Sequence, residues 1–181
     1  MIQNVFSIGI SVFELKNIDN SKIISYVKNT SKKNQVKENK NILSDVLFTD
    51  LNCIVEKKMN EYFKTIYNDV YKIKLFEVWS NIGNDELITI PHIHNDSFIS
   101  AVYYPYSTEG EIIFLNPAIS IISKQKNSMI NNHNEYTSEY YSFPARTGHL
   151  IIFNSMLQHM VRCSNNDRIS IAYNGNISDN I

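Results

Sequence analysis

Cysteine is scarce in this sequence: Cys53 and Cys163 are the only two, and they stand far apart without CxxC spacing. This scarcity excludes a disulfide-stapled scaffold and predicts reduced thiols in a cytoplasmic protein. Long apolar runs are also missing, since no stretch approaches the ~18 consecutive apolar residues of a membrane-spanning helix. The opening residues lack the basic start and the apolar run of a signal peptide. We therefore expect a cytoplasmic protein without a membrane partner.

Neither positive nor negative charge is in excess in this sequence. The formal net charge is −1 at pH 7, which argues against nucleic acid or an anionic membrane as a partner. Arginine is restricted to Arg146, Arg162 and Arg168, and lysine supplies the rest of the positive charge. Each arginine is therefore informative, because lysine serves wherever only a positive charge is needed.

The 181 residues, 43% of them hydrophobic, suffice for one domain with a substantial core. We expect a single domain over 1–181, in which residues 1–70 give mainly helical support and residues 71–181 form a β-rich core. The opening segment "VFSIGISVFEL" predicts a strand. Asp19 is expected to cap a first helix, and residues 43–67 to form one long amphipathic helix packed on a flat surface.

After Tyr71, short segments rich in β-branched and aromatic residues alternate with turn signals and predict about eight strands. These strands are expected from nine candidate segments: "YKIKLFEVWSNI", "LITIPHIH", "SFISAVYYP", "EIIFLNP", "ISIIS", "EYYSFP", "HLIIFNS", "LQHMVRC" and "RISIAYNGNI". The polar stretch 124–138 is expected to be a loop, of the length typical of a lid or substrate loop. Helices followed by strands favour an α+β fold in which the helices buttress one sheet of a sandwich or barrel.

Three potential metal ligands follow one another at a spacing of two: His92, His94 and Asp96. On a strand that stays extended to Asp96, all three side chains project to one face. His159 lies in another apolar strand, which a jelly roll can bring beside them. Three ligands on one face with open positions suit a redox metal such as iron, whereas a closed structural zinc site needs a fourth ligand.

Arg168 follows His159 by nine residues (168 − 159), and Ser170 comes two residues later. The intervening "SNND" predicts a hairpin turn, which would place His159 and Arg168 on neighbouring antiparallel strands. A buried arginine is a two-pronged donor for a carboxylate, and Ser170 adds a hydroxyl on the same face. A metal and an arginine separated by one small diacid would suit 2-oxoglutarate, with its keto acid on the metal.

Several segments together resemble the Fe(II)/2-oxoglutarate-dependent oxygenase superfamily, in a branch common in phage and marine bacterial sequences. They are "WSN" (79–81), "PHIH" (91–94), "SFISAVYYP" (97–105), "IIFLNP" (112–117), "FPARTGHLIIFNSMLQHMV" (143–161) and "DRISIAYNGNI" (167–177). They cover roughly the C-terminal hundred residues in the family's order. The departures, at "HND", at Ala101 and at "FNSM", remove no presumed ligand.

The resemblance implies a double-stranded β-helix, a cupin-like jelly roll, with N-terminal helices packed on one sheet. It implies Fe(II) held by His92, His94 and His159, and 2-oxoglutarate paired with Arg168. Further residues at the co-substrate pocket would be Ser170, Tyr104, Asn81 and Trp79. The superfamily commonly uses His-x-Asp, so Asp96 remains the alternative to His92, although we favour the three histidines.

The expected activity is that of an Fe(II)- and 2-oxoglutarate-dependent dioxygenase that hydroxylates an unidentified substrate and releases succinate and CO2. The substrate can be a small molecule or a protein side chain, and the aromatic content permits a homodimer. Two alternatives stay open: a cupin-like three-histidine metalloenzyme without 2-oxoglutarate, which gives Arg168 no special role, and a non-catalytic jelly-roll binding module.

Overall fold

The computed structural model describes residues 7–31, 41–83, 89–122, 124–162 and 168–179. Within these ranges the chain forms three α-helices and eight β-strands, and the strands build two antiparallel sheets. The helices are α1 (Asn20–Ser31), α2 (Thr49–Ile66) and α3 (Ile119–Ile122). The strands are β1 (Ser11–Glu14), β2 (Tyr71–Ile82), β3 (Ile99–Ser107), β4 (Glu111–Leu115), β5 (Tyr140–Pro144), β6 (His149–Asn154), β7 (His159–Arg162) and β8 (Arg168–Asp179).

The larger sheet has five strands in the order β1-β6-β3-β8-β2. Its strand β8 lies between β3 and β2, and side chains along β8 point alternately to the two faces. Ile169, Ile171 and Tyr173 face the helices, in one apolar cluster with Val55 and Met59 of α2. All five are at most 1% exposed, and burial of each large apolar side chain stabilises the fold by about 1.5–3 kcal/mol.

The smaller sheet has the order β5-β4-β7 and packs on the other face of the larger sheet. Between the sheets lies a second apolar cluster, which includes Val102 and Tyr104 from β3, Phe114 from β4 and Phe153 from β6. The helices therefore cover one face of the large sheet, and the small sheet covers the other. This arrangement confirms the predicted α+β jelly roll with helices packed on one sheet. The first seventy residues also contribute a strand, since β1 pairs with β6.

The long helix starts later than the sequence pattern predicts. Residues 43–48 are not α-helical, because Ile42 donates its backbone N–H to the Val78 carbonyl at 2.8 Å and draws this segment against β2. Asp45 then accepts from the Leu47 N–H at 3.0 Å and caps a single 3-10 turn. The α-helix begins only at Thr49. Its apolar positions still face the large sheet as expected.

Two predicted strands are wrong or reduced. The described part of "ISIIS", Ile119–Ile122, forms α3, because the Asn116 side chain accepts from the Ala118 N–H at 2.9 Å and starts a helical turn at Pro117. The described part of "LITIPHIH", residues 89–94, forms one isolated bridge between His92 and His159.

Two remaining expectations concern the thiols and the membrane. Cys53 is an exposed free thiol on α2, and Cys163 lies outside the described residues. Among the described residues, no helix combines the length and the apolar character that crossing a membrane requires.

Candidate metal and co-substrate site

Three histidines converge at one end of the space between the sheets. His92 and His159 form a two-way backbone bridge, in which each N–H donates to the other's carbonyl at 2.9 and 3.0 Å. His94 is fixed two residues on, where its N–H donates to the Ser155 carbonyl at 3.0 Å. One ring nitrogen from each histidine lies within 4.8 Å of the others. In the described part of the chain, this group is the one whose donor atoms meet closely enough to hold a metal ion.

The ring nitrogens of His92 and His159 are oriented by carbonyl groups. His92 Nδ1 lies 2.9 Å from the Ile90 carbonyl, and His159 Nδ1 lies 2.9 Å from the Leu157 carbonyl. Since a carbonyl only accepts, both Nδ1 atoms carry the proton and donate, which leaves the Nε2 lone pairs for a metal. His94 Nε2 lies 3.3 Å from His159 Nε2, so it points to the same place.

Burial keeps the inner two rings uncharged. His159 is 4% exposed, and this burial, together with the neighbouring His92 and His94, lowers its pKa to about 4. Burial also lowers the pKa of His94, with His92 acting in the same direction. Neutral imidazoles are the form that binds metal, so burial favours the charge state that metal binding requires near neutral pH.

Asp96 does not join the histidines. The strand expected to continue to Asp96 ends in a turn, in which the Ser97 N–H donates to the His94 carbonyl at 3.1 Å. Asp96 is exposed, and its carbonyl accepts from the Asn176 side chain at 2.8 Å. The strand does not stay extended to Asp96, so the condition for the three side chains to project together is not met, although His92 and His94 do meet.

Arg168 is buried at the start of β8, with 4% of its surface exposed. Its Nε and Nη1 atoms are buried, and they have no hydrogen-bond acceptor among the residues that the structure describes. Its relation to His159 differs from the prediction, because β7 pairs with β4 in the small sheet while β8 belongs to the large sheet. The two residues therefore do not face each other across a hairpin, and the "SNND" turn lies outside the described residues.

The inner face of β8 connects Arg168 with the histidines. Arg168, Ser170, Ala172 and Asn174 alternate with the residues that face the helices, so they share the face toward the small sheet. Ser170 is 4% exposed and is paired with Asn81 on β2. Ala172, a small residue, lies midway between Ser170 and Asn174, which keeps side-chain volume low along this row.

The other predicted pocket residues occupy the same inner face. Tyr104 is fully buried in the cluster between the sheets. Trp79 is paired with Ala172 on β8, and its ring centroid lies 5.8 Å from that of His94. The structure thus brings Trp79 next to the histidines, while Asn81 lies one inward-facing position farther along β2, toward Arg168.

A buried polar network behind His94 is absent from the sequence-based prediction. Asn174 Nδ2 lies 3.3 Å from His94 Nδ1 and donates to Glu77 Oε2 at 2.9 Å. Behind Asn174, the hydroxyls of Ser100, Ser155 and Ser97 follow one another at 2.8 to 2.9 Å. The alternation along β8 carries the signal, since Asn174 shares its inner face with Arg168 and Ser170.

An open cleft of about 490 Å³ adjoins this network. It is lined by Asn41, Phe76, Glu77, Ile93, His94, Asn95, Asp96 and Asn174. Its volume lies within the usual range of roughly 300–1,000 Å³ for small-molecule sites. Its wall includes His94, so the cleft reaches one of the three converging histidines.

The sequence of residues 77–174 matches the family described as "Putative 2OG-Fe(II) oxygenase". This match spans more than half of the chain. No curated protein matches the sequence.

Solved structures share the fold at low sequence identity. HygX from Streptomyces hygroscopicus, solved with nickel and 2-oxoglutarate bound, has a TM-score of 0.57 at 10% identity, over 96% of this chain and 84% of HygX. SnoN, a non-heme alpha ketoglutarate dependent epimerase from nogalamycin biosynthesis, has a TM-score of 0.59 at 12% identity, over 93% of this chain and 78% of SnoN.

A 2OG-Fe(II) oxygenase family oxidoreductase from Burkholderia pseudomallei has a TM-score of 0.50 at 16% identity. The alignment covers 71% of this chain, which spans 57% of the length of the Burkholderia protein. Identities this low establish a shared fold, whereas the sequence match over residues 77–174 establishes the family. The chain belongs to the 2OG-Fe(II) oxygenase family.

Proposed function

We propose that this protein is an Fe(II)- and 2-oxoglutarate-dependent dioxygenase that hydroxylates an organic substrate and releases succinate and CO2. Its metal ligands are His92, His94 and His159. The observation that carries the proposal is the convergence of three imidazole nitrogens within 4.8 Å in a member of this family. We further propose that residues 1–181 act as one oxygenase domain.

The donor set fits iron. Three neutral nitrogen ligands on one side of a metal leave other positions open for a chelating co-substrate and oxygen. Bound iron and 2-oxoglutarate would supply the oxidising chemistry, for which no side chain of the protein is suited. The carbonyl groups of Ile90 and Leu157 hold two of the rings with Nε2 free, so the protein fixes the direction of its ligands before the metal arrives.

Arg168 is the proposed partner of the far carboxylate of 2-oxoglutarate. A buried guanidinium with two nitrogens that lack an acceptor among the described residues is costly in the free protein. A carboxylate satisfies both nitrogens with two charge-assisted hydrogen bonds. Ser170 and Asn81 lie next to Arg168 on the same face of the sheet and supply further polar contacts. Tyr104 supports the pocket from β3.

The cleft beside His94 is the proposed substrate entrance. Its volume of about 490 Å³ accommodates a small molecule or a protein side chain. Because His94 lines the cleft, a substrate in the cleft would reach the metal beside the His94 ring, whose centroid lies 5.8 Å from that of Trp79. The polar stretch 124–138, which is largely exposed, remains a candidate substrate loop.

An anaerobic titration tests the proposal. Fe(II) followed by 2-oxoglutarate should give a visible charge-transfer absorption with one equivalent of each. His92→Ala and His159→Ala should lose it, whereas Asp96→Ala should keep it, since Asp96 lies outside the cluster. Absence of the band in folded wild-type protein would contradict the proposal. Its loss in Asp96→Ala and His159→Ala, with retention in His92→Ala, would restore the His-x-Asp ligand set.

A three-histidine metalloenzyme without 2-oxoglutarate is the second candidate. It explains the converging imidazoles but leaves the buried Arg168 without a role. The titration separates the candidates, because this one predicts stoichiometric metal binding with no change on addition of 2-oxoglutarate. A non-catalytic binding module predicts no stoichiometric iron, manganese or nickel in protein purified without chelators.

A further inference from the structure

The side chain of Asn174 is placed to control which nitrogen of His94 carries the proton. Asn174 is 4% exposed and is held at both ends. Its Oδ1 lies 2.8 Å from the Ser100 hydroxyl oxygen, and its Nδ2 donates to Glu77 Oε2 at 2.9 Å. The same Nδ2 lies 3.3 Å from His94 Nδ1.

This orientation of the carboxamide is unsuited to metal binding through His94 Nε2. An NH2 group only donates, so His94 Nδ1 accepts and the proton of the neutral ring resides on Nε2. Nε2 then points its N–H toward His159 Nε2, 3.3 Å away, where a metal would lie. Metal binding requires a lone pair on His94 Nε2, so the proton of the ring must move to Nδ1. The His94 Nδ1–H and the Asn174 NH2 group would then face each other as two donors.

A half-turn of the carboxamide removes this conflict, and the serine hydroxyls favour it. Ser97 uses its single proton on backbone carbonyls, so Ser155 must donate to Ser97 at 2.9 Å. Ser100 must then donate to Ser155, which leaves no proton for its 2.8 Å contact with Asn174. Only Asn174 Nδ2 can supply that proton, and turning Nδ2 toward Ser100 brings Oδ1 to His94 Nδ1.

We propose that Asn174 is a positioning residue that exchanges the tautomer of His94 when metal binds. Without metal, Nδ2 donates to His94 Nδ1, in the orientation that Glu77 stabilises. With metal, the carboxamide is turned, Oδ1 accepts from His94 Nδ1–H, and every serine hydroxyl has one acceptor. Glu77, which lines the open cleft, then takes its hydrogen bonds from water. The inference rests on the proposed role of His94 as a metal ligand.

Long-range proton–nitrogen NMR of the imidazole rings tests the exchange in the wild-type protein, with zinc as a diamagnetic probe. In the metal-free protein, His94 should be protonated at Nε2, whereas His92 and His159 are protonated at Nδ1. One equivalent of zinc should move the His94 proton to Nδ1 and shift the Asn174 side-chain NH2 resonances. The same His94 tautomer before and after zinc would overturn the inference.

Two variants separate positioning from mere packing. Asn174→Leu, which offers no acceptor, should weaken zinc binding about 10- to 100-fold, as loss of a partner to a ligand histidine typically does. Asn174→Asp can only accept, so His94 should be protonated at Nδ1 already in the metal-free protein. Equal affinity of Asn174→Leu and wild type would overturn the inference.

Asn52→Leu is the matched control, because Asn52 is likewise buried, at 7% exposure, but lies on α2 among the helix contacts. It should bind zinc as the wild type does. The outcome also distinguishes this inference from the proposed function. Zinc binding that disappears in His94→Ala but persists in Asn174→Leu overturns the role of Asn174 alone, whereas failure of the wild type to bind zinc overturns both.

Discussion

Replacing Arg168 by methionine should have opposite effects on the stability of the ligand-free protein and on co-substrate binding. The guanidinium is 4% exposed, and its Nε and Nη1 lack an acceptor among the described residues. An unsatisfied buried polar group costs about 1–3 kcal/mol. Methionine fills similar space without a guanidinium group. The free energy of unfolding of the ligand-free variant should therefore be about 1–3 kcal/mol higher than that of the wild type, so the variant is more stable.

Binding of 2-oxoglutarate should weaken in the same variant. Loss of one partner of a buried, hydrogen-bonded charge pair costs about 2–5 kcal/mol. Since 1.4 kcal/mol corresponds to a factor of ten, the dissociation constant should rise roughly 30-fold to several-thousand-fold. Metal affinity should be unchanged, because Arg168 lies outside the cluster of metal-ligating atoms.

Urea denaturation in the presence of Ni(II), with and without 2-oxoglutarate, measures both effects. At a 2-oxoglutarate concentration 100 times the wild-type Kd, the wild type gains about 2.7 kcal/mol, and a variant that binds 100-fold more weakly gains about 0.4 kcal/mol. Arg162→Met is the control, because Arg162 is an exposed arginine paired with Glu111 at 3.3 Å. Unchanged stabilisation by 2-oxoglutarate in Arg168→Met would refute the assignment of Arg168 as its partner.

Two further predictions concern acid sensitivity and packing. Burial lowers the folded-state pKa of His159 to about 4, below the unfolded value near 6.5. The unfolded state therefore binds the extra proton, so the contribution of His159 is complete above pH 6.5 and roughly 3 kcal/mol is lost toward pH 4. Urea titrations of the metal-free protein at several pH values should show this loss in the free energy of unfolding. In His159→Phe the free energy of unfolding should depend less on pH. Parallel pH profiles of the wild type and the variant would contradict the role of His159. Gly175→Ala should destabilise the fold by about 1–3 kcal/mol in thermal unfolding, because its Cβ would lie 2.6 Å from Cγ2 of the buried Ile73. Gly9→Ala is the control and should leave the stability unchanged, because the nearest atom to its Cβ lies 3.5 Å away.

The sequence predicts most strands well because β-branched and aromatic segments are separated by clear turn signals. The segments "SFISAVYYP" and "RISIAYNGNI" contain β3 and β8, in which helix-facing and inward-facing residues alternate. Prediction failed where side chains bond to local backbone. Asp45 delays the start of α2, and Asn116 turns an apolar "ISII" segment into a helix. Such contacts depend on neighbouring backbone positions that hydrophobic periodicity does not encode.

The candidate site was predictable in its members and less so in its geometry. His92, His94 and His159 meet as expected, but through a bridge followed by a loop instead of one extended strand. Arg168 is buried on the inner face, yet β7 and β8 lie in different sheets. Asn174 was missed because an asparagine in a strand does not by itself indicate a site, and only the alternation along β8 links it to Arg168 and Ser170. The phage or marine bacterial origin and the homodimer stay predictions.

Because side chains alternate along β8, substitutions at its odd-numbered and even-numbered positions should have different consequences. Odd-numbered positions from Ile169 to Tyr173 support the fold against the helices, while even-numbered positions from Arg168 to Asn174 face the proposed chemistry. A substitution at an even position should therefore alter ligand binding in a protein that remains folded. Substitutions on the even-numbered side of β8 can therefore change substrate preference while the odd-numbered side continues to stabilise the fold. Only a register shift of one residue would exchange the two sides.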